Sequence, residues 1–117
     1  MNNIKISDNF NLKEFQCKCC GQVKIESKLL ELLQKLRSQV GKPISVLSGY
    51  RCPNHNAEVG GAKESYHMKG MAVDIRIPNM SPGEVAKIAE QLGFNGIGLY
   101  DSFTHVDIRQ QKSKWEG

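Results

Sequence analysis

Apolar residues recur at helical spacing in two stretches of the chain, and each stretch has its own start and stop signals. Leucines on one wide face predict a helix from Glu26 to Val40, which Gly41 ends. Residues 81–84 form a capping box with proline at the first helical position, so a second helix is predicted from there to Gly93. The apolar residues that this second helix buries are Val85, Ile88, Ala89 and Leu92.

Alternation of apolar and polar residues predicts two strands whose faces differ in character. In residues 71–77 the apolar residues at odd-numbered positions share one face, and Asp74 lies on the other. Over 103–108, His105 and Asp107 lie on the face opposite the apolar residues. Both strands therefore combine a core face with a face that carries ionisable side chains.

Shorter patterns complete the predicted fold. Strands are predicted over 44–48 and 96–100, a helical turn over 11–15, and a long loop with one helical turn over 52–66. Short connections join these elements, which is typical of an antiparallel sheet. We predict a single α+β domain over residues 1–117, in which helices pack on one side of a central antiparallel sheet and the other face is open.

Composition places the chain among globular domains and excludes two kinds of partner. Hydrophobic residues make up 39% and charged residues 24%, which is ordinary for a folded domain. The net charge of +4 is spread along the chain without a basic stripe, so no nucleic-acid partner is predicted. No stretch approaches the roughly 18 apolar residues of a membrane span, so no membrane insertion is predicted. We expect a monomer.

Two histidines and one aspartate form a candidate metal site. Asp74 and His105 share one sheet surface if their strands are neighbours, and a bend at Gly70 would bring His67 over that surface. Two imidazoles and one carboxylate are a three-ligand set for catalytic zinc, with the fourth position left for water. Three ordinary alternatives stay open: a surface histidine at 67, a solvated strand face at 74, and a structural hydrogen bond at 105.

The cysteines allow two interpretations. They are Cys17, Cys19, Cys20 and Cys52. One interpretation is free thiols or a bridge of the Cys17–Cys52 type. The other is a second, structural zinc ion bound by Cys17, Cys20, Cys52 and His55, because C-x-x-C-G and C-x-x-H are both ligand spacings typical of zinc.

Three ordered blocks resemble one family of enzymes. Residues 65–74 resemble the S-x-H-x-x-G-x-A-x-D signature of the zinc D-Ala-D-Ala carboxypeptidases and dipeptidases. Residues 48–62 resemble the S-G-Y-R-x-P-x-H-N-x-x-V-G-G-A run of the short, often phage-encoded branch. Residues 103–109, with Trp115, resemble its closing F-x-H-V-D-x-R…W block. Lysostaphin-type endopeptidases and hedgehog domains are distant relatives of this family, and the resemblance extends from about residue 7 to residue 115.

The resemblance implies a role for particular residues. It implies that His67, Asp74 and His105 bind one catalytic zinc ion on the open face of the sheet. It implies that Arg51 lies beside the substrate carbonyl or carboxylate, where a guanidinium can bind an anionic terminus or stabilise an oxyanion. Ser65 is expected to contact the substrate or to orient the metal-binding loop.

The general base is where the chain departs from the family pattern. Many members have an acidic residue three positions before the last histidine ligand, and Ser102 stands there in this chain. Asp107 is our first candidate for the base and Asp101 the second. Asp107 has an alternative role, in which it orients a ligand histidine instead.

The resemblance implies a zinc-dependent peptidase that cuts stem peptides of peptidoglycan with metal-activated water, as a carboxypeptidase or as an endopeptidase of the endolysin kind. Residues 1–8 contain no apolar signal core. We therefore expect synthesis in the cytoplasm and release to the cell wall through lysis, a holin pore or a phage particle, unless a leader has been removed. Two alternatives are a catalytically inactive zinc-containing binding module of the same fold and a small protein held by a cysteine-bound zinc.

Overall fold

A five-stranded sheet supports both the core and the candidate site. The structure is a computed structural model that describes residues 2–117. The strands of this sheet lie in the order β3-β4-β6-β5-β7. Their bounds are β3 Ser45–Ser48, β4 Ala72–Arg76, β5 Gly96–Leu99, β6 Thr104–Asp107 and β7 Ser113–Glu116. Four of them pair antiparallel, as predicted, while β7 pairs parallel to β5 and makes the sheet mixed.

The two predicted helices form and pack on one side of the sheet. They are α1, Ser27–Val40, and α3, Pro82–Leu92. Gly41 ends α1 in the left-handed conformation, and the capping box of Ser81 with Glu84 begins α3. Helix α3 contacts β5 and β6, and α1 contacts α3. The predicted α+β class, with its two predicted helices on one side of the sheet, is confirmed.

The core lies between this helix layer and the apolar faces of the strands. Alternation buries Val73 and Ile75 of β4 and Val106 of β6 on the core face. The remaining buried members of this core are Phe10, Phe15, Leu29, Leu32, Leu33, Leu36, Ile44, Ile77, Val85, Ala89, Phe94 and Ile97. Since the core takes one face of each strand, the other face is left for polar side chains.

Short elements lie beside the opposite face and at the N-terminal side of the sheet. Helix α2, Pro53–Glu58, occupies the predicted loop and begins after Cys52, with proline in its first turn. It contacts a 3₁₀ helix at Tyr66–Lys69, which in turn contacts β4. A second 3₁₀ helix, Leu12–Phe15, confirms the predicted turn, and the small strands β1, Lys5–Ser7, and β2, Phe10–Asn11, precede it.

Strands β1, β2 and β7 were not predicted from sequence, because each is only two to four residues long and carries too little alternation to detect. In residues 2–117, no helix is both long and apolar enough to cross a membrane.

Candidate active site

The site is built on two neighbouring strands. Strand β4 pairs antiparallel with β6, and the register places Asp74 directly opposite His105. Both side chains lie on the face away from the core, and Nδ1 of His105 is 3.0 Å from Oδ1 of Asp74. The expectation that these two strands are neighbours is confirmed.

His67 reaches the same carboxylate from the 3₁₀ helix at Tyr66–Lys69. The Ser65 hydroxyl begins this helix by accepting the backbone N–H of His67 at 3.2 Å. Nδ1 of the His67 ring is 2.9 Å from the carbonyl oxygen of Gly49. Since a carbonyl can only accept, Nδ1 carries the proton that it donates to Gly49. Nε2 then lies 3.3 Å from Oδ1 of Asp74.

The second nitrogen of His105 is held in a similar way. Nε2 of His105 is 2.7 Å from Oδ2 of Asp107, a contact in which the ring N–H donates to the carboxylate. In the neutral form of each ring, the nitrogen that faces Asp74 therefore has a lone pair and no proton. Two lone pairs and one carboxylate oxygen facing each other repel unless a proton or a metal ion lies between them.

The dimensions of this cluster fit zinc. The donor atoms of His67, Asp74 and His105 all lie within 4.8 Å of one another. A tetrahedral zinc ion with bonds of about 2.0–2.1 Å separates its ligand atoms by about 3.4 Å. The contacts to Oδ1 of Asp74, at 3.0 and 3.3 Å, are close to that value. Two imidazoles and a carboxylate, all nearly buried, suit zinc better than the all-oxygen sites of calcium or magnesium.

Asp107 lies beneath His105 and is fully buried. Arg109 binds its carboxylate with the guanidinium at 2.7 and 2.9 Å and with the backbone N–H at 3.1 Å. The guanidinium of Arg109 lies 4.6 Å from the ring centre of Tyr66 and 4.8 Å from that of Trp115. A Cβ atom at Gly96 on β5 would collide with the Asp107 carboxylate, so only glycine leaves room for it.

Trp115 of β7 closes one side of the site. Its ring centre is 5.1 Å from that of His105, and its indole N–H donates to the hydroxyl of Tyr100 at 3.0 Å. A Cβ atom at Gly98 would lie 2.7 Å from the Trp115 ring. Glycine at this position leaves room for the indole beside β5, where Gly98 pairs with His105 of β6.

Arg51 lies on the other side of Asp74. Its Nη2 is 3.3 Å from Oδ2 of Asp74, the oxygen that the histidines do not contact. Its Nε donates to the Ser48 hydroxyl at 3.1 Å, and its Nη1 donates to Oδ1 of Asn56 at 3.3 Å. These contacts use three of the five guanidinium N–H groups, so one N–H on each terminal nitrogen is left for another acceptor.

Hydrogen bonds shift the ionisation of the buried groups. Burial alone would raise the pKa of Asp74, but the hydrogen bonds that His105 and His67 donate when the ring nitrogens facing it are protonated outweigh burial and hold this pKa well below its usual range. Burial would likewise raise the pKa of Asp107, and hydrogen bonds from His105 and Arg109 lower it instead. Burial would lower the pKa of His105, but hydrogen bonds to Asp107 and Asp74 raise it. Both carboxylates are thus held charged.

The other predicted site residues lie in different surroundings. Asp101 is exposed in the turn between β5 and β6, and it lines a cavity together with Ile77 and Val85 of the helix side. The Ser65 hydroxyl accepts the backbone N–H of His67, and its role in contacting the substrate or orienting the metal-binding loop stays a prediction. The ion pair of Arg109 with Asp107 was not predicted. The sequence could have predicted this pair, because residues two apart on a strand share a face.

The cysteines form a second cluster, in which one predicted member is wrong. The sulfur atoms of Cys17, Cys19, Cys20 and Cys52 lie within 4.8 Å of one another, and His55 is not part of the group. His55 contacts Cys52 Sγ with its backbone N–H at 3.4 Å, while its ring nitrogen Nδ1 is buried without a hydrogen-bond partner in residues 2–117. Cys19 takes the predicted place of His55, because its sulfur lies 3.6 Å from that of Cys17 and 3.2 Å from that of Cys52.

Comparison with known proteins agrees with this geometry. The Peptidase M15 family matches residues 8–107, a range that contains all three members of the histidine–aspartate cluster. The chain belongs to the Peptidase M15 family. The relatives of this chain include the peptidoglycan L,D-endopeptidase MepK of Escherichia coli (strain K12), which is 35% identical over 92 residues, covering 71% of this chain and 50% of the relative.

A second relative is named for a different activity. The zinc D-Ala-D-Ala carboxypeptidase of Streptomyces albus G is 39% identical over 80 residues, covering 63% of this chain and 31% of the relative. The chain thus spans about half the length of the first relative and less of the second. The resemblance to zinc D-Ala-D-Ala carboxypeptidases noted in the sequence is confirmed at the level of the family.

Proposed function

We propose that this protein is a zinc-dependent peptidase that hydrolyses peptide bonds in the stem peptides of peptidoglycan. The observation that carries the proposal is the direction of the two imidazoles. Gly49 and Asp107 each accept the proton of one ring, and the opposite nitrogens both face Oδ1 of Asp74. This arrangement suits a metal cation, and membership of the M15 family together with the zinc enzyme among the relatives supports zinc.

His67, Asp74 and His105 would hold the ion. Zinc bound there would activate a water molecule at neutral pH and polarise the scissile carbonyl. The protein prepares the three ligands in advance, because the Gly49 carbonyl and the Asp107 carboxylate determine which nitrogen of each ring is free. Arg51 neutralises the second oxygen of Asp74 and keeps that carboxylate from turning away.

Arg51 is also placed to bind the substrate. Its two unused N–H groups lie on the terminal nitrogens, one of which contacts the proposed ligand Asp74. A guanidinium there would bind either the carbonyl oxygen that becomes negative during the reaction or a free carboxylate at the end of the peptide. Its three contacts within the protein hold the guanidinium in place before the substrate binds.

A cavity beside Arg109 is a candidate place for part of the substrate. A polar cavity of about 440 Å³ lies next to Arg109 and Tyr66 and is lined further by residues 110–113. The two relatives are named for different bonds, an L,D bond and a D-Ala-D-Ala bond. We therefore propose the stem peptide as the substrate class, and the masses of the released fragments distinguish endopeptidase from carboxypeptidase activity.

The surroundings of Asp107 bear on which carboxylate acts as the general base. This carboxylate is fully buried and occupied by His105 and Arg109, which suits a positioning role better than that of a general base. Asp101, in its exposed turn, stays the second predicted base.

An isosteric pair of variants tests the proposal. Asp74→Asn removes the charged ligand, and Asp101→Asn makes the same chemical change in the exposed turn. Zinc content and the release of peptides from purified peptidoglycan are measured for both. We expect Asp74→Asn to lose zinc and hydrolysis and Asp101→Asn to keep zinc. If Asp74→Asn hydrolyses peptidoglycan at the wild-type rate, the proposed centre is wrong; if Asp101→Asn keeps zinc but loses hydrolysis, Asp101 is the base.

Two observations favour a second candidate, a zinc-containing binding module without catalysis. The usual acid position holds Ser102, and Asp107 is engaged in an ion pair with Arg109. Such a module would bind zinc and sediment with peptidoglycan without releasing any fragment. Zinc-dependent release from any wall chemotype would exclude it.

A further inference from the structure

The four cysteines lie outside the proposed peptidase centre and form a compact group of their own. All four sulfur atoms lie within 4.8 Å of one another, and none of the cysteines is in a disulfide. Cys17 and Cys52 are buried, whereas Cys19 and Cys20 are exposed. Three of them come from one short segment and the fourth from a position more than thirty residues away in the chain.

The spacing of the sulfur atoms is that of a metal site. A tetrahedron of four zinc–sulfur bonds of about 2.3 Å has edges of about 3.8 Å. Cys19 Sγ lies 3.6 Å from Cys17 Sγ and 3.2 Å from Cys52 Sγ. We propose that Cys17, Cys19, Cys20 and Cys52 bind one structural zinc ion, separate from any ion at His67.

The backbone around the cysteines is shaped to support thiolate ligands. The N–H of Cys17 donates to the carbonyl of Gln22 at 2.6 Å, and the N–H of Gly21 donates to the carbonyl of Cys17 at 2.9 Å. These bonds form a tight turn that brings three cysteine side chains to one side. The N–H of Cys52 donates to Cys17 Sγ at 3.4 Å, and that of His55 donates to Cys52 Sγ at 3.4 Å. Backbone N–H groups directed at sulfur favour its charged form.

The donor set selects the metal. Four sulfur ligands exclude calcium and magnesium, which bind oxygen, and a closed set of four is typical of structural rather than catalytic zinc. No ligand position is left for water or substrate.

The ion would connect the N-terminal segment to the segment that carries Arg51. Cys52 follows Arg51 directly, and the N–H of Tyr50 donates to the carbonyl of Phe15 at 2.8 Å. The neighbouring Gly49 carbonyl accepts from the His67 ring. A crosslink between residues 17–20 and Cys52 would therefore hold the guanidinium of Arg51 and the imidazole of His67 in place.

Metal counting with variants at the two clusters tests the site. We expect wild type to hold one more zinc per chain than Cys19→Ser or Cys20→Ser, and we expect the Lys18→Ala control, from the same turn, to match wild type. The His67→Ala variant should keep the cysteine-bound ion. Replacing zinc by cobalt should give sulfur-to-cobalt charge-transfer absorption in wild type and in His67→Ala, and not in Cys19→Ser.

These measurements do not depend on peptidase activity. If no fragment is released from peptidoglycan but the thiolate absorption is present, the peptidase proposal fails and this one stands. If a cysteine variant does not fold, the cobalt spectrum of the unaltered chain still decides. Absence of charge-transfer absorption in wild type, equal zinc in wild type and Cys19→Ser, or disulfides in the mass spectrum of the native protein would each overturn the site.

Discussion

Asp107 determines which nitrogen of His105 faces the centre of the site. Its Oδ2 accepts the Nε2 proton of His105 at 2.7 Å, and Nδ1 is thereby turned toward Oδ1 of Asp74 at 3.0 Å. Arg109 binds the same carboxylate at 2.7 Å and fixes it in turn. The three residues form a chain of contacts from a half-buried arginine to the proposed metal ligand. Such carboxylate–histidine pairs orient the ring and make it a stronger ligand.

Asp107→Asn should weaken zinc binding more than it weakens the chemistry. The amide loses the charge that supports His105, and its NH₂ group can hold the ring in the wrong tautomer, so we expect zinc affinity to fall about 10- to 100-fold. Hydrolysis should recover when the zinc concentration is raised. Competition with a chromogenic chelator gives the affinity, and peptidoglycan digestion over a zinc series gives the activity. A variant that binds zinc like wild type but hydrolyses nothing at any zinc level would identify Asp107 as the general base.

Arg51→Lys should lower turnover without removing zinc. Lysine keeps a positive charge near Asp74 but lacks the planar fork that reaches Ser48, Asn56 and the substrate. Loss of one donor to a developing oxyanion costs about 10²–10³ in rate, and we expect kcat/KM to fall by that factor. Arg76→Lys is the matched control, because Arg76 is exposed and donates to the Ser102 carbonyl. Equal activity of the two variants would show that Arg51 takes no part in the reaction.

The sequence predicts those parts of the molecule that local patterns determine. Helix α3 has a capping box and a terminal glycine, and its predicted ends agree with the structure. The strict alternation of β4 and β6 was enough to place Asp74 and His105 each on the face away from the core, while their position opposite each other depended on the pairing of the two strands. The helix ends and the face on which each side chain lies need only residues that are close in sequence.

Features that depend on distant contacts could not be predicted in the same way. Strand β7 exists because it pairs with β5, and its own four residues carry no clear pattern. Likewise, C-x-x-C and C-x-x-H spacing suggested His55 as a ligand, but the turn that brings Cys19 against Cys52 depends on tertiary packing. The role of Asp107 depends on which ring nitrogen of His105 it contacts, and sequence spacing carries no information on that.

Removal of zinc should change how stability depends on pH. The lowered pKa values of Asp74 and Asp107 contribute stability that is complete above their usual 3.8 and is lost as the pH falls through the lowered values. The raised pKa of His105 contributes stability that is complete below its usual 6.5 and is lost as the pH rises through the raised value. The combined contribution of these three groups should therefore make the zinc-free protein most stable between pH 3.8 and 6.5.

With zinc bound, stability should instead rise with pH above 6.5. The ion replaces the proton on His105, so zinc binding releases that proton and strengthens as the pH rises. Urea unfolding across a pH series, with zinc and with a chelator, measures both profiles. The same series in His67→Ala gives the contribution of a cysteine-bound ion to the zinc effect on stability, which is then subtracted. If wild type and His67→Ala respond to zinc with the same pH dependence, the ion does not lie at His105.

Gly98→Ala should disturb the wall of the site through Trp115. The new Cβ would lie 2.7 Å from the indole ring, which is held by the Tyr100 hydroxyl at 3.0 Å and faces the His105 ring. Overpacking of this kind costs about 1–3 kcal/mol of unfolding free energy. Urea denaturation measures the loss, and the same protein should show weaker zinc binding because the displaced indole pushes on His105.

Gly83→Ala is the matched control for this change, since the new Cβ would meet only the Ser81 hydroxyl at 3.9 Å. Alanine in helix α3 should raise stability by about 0.5 kcal/mol. Combining Gly98→Ala with Trp115→Leu then isolates the contact in a double-mutant cycle. If the collision is the cause, the double variant loses less stability than the sum of the two single changes. Additive losses would mean that the indole moves aside freely and does not position His105.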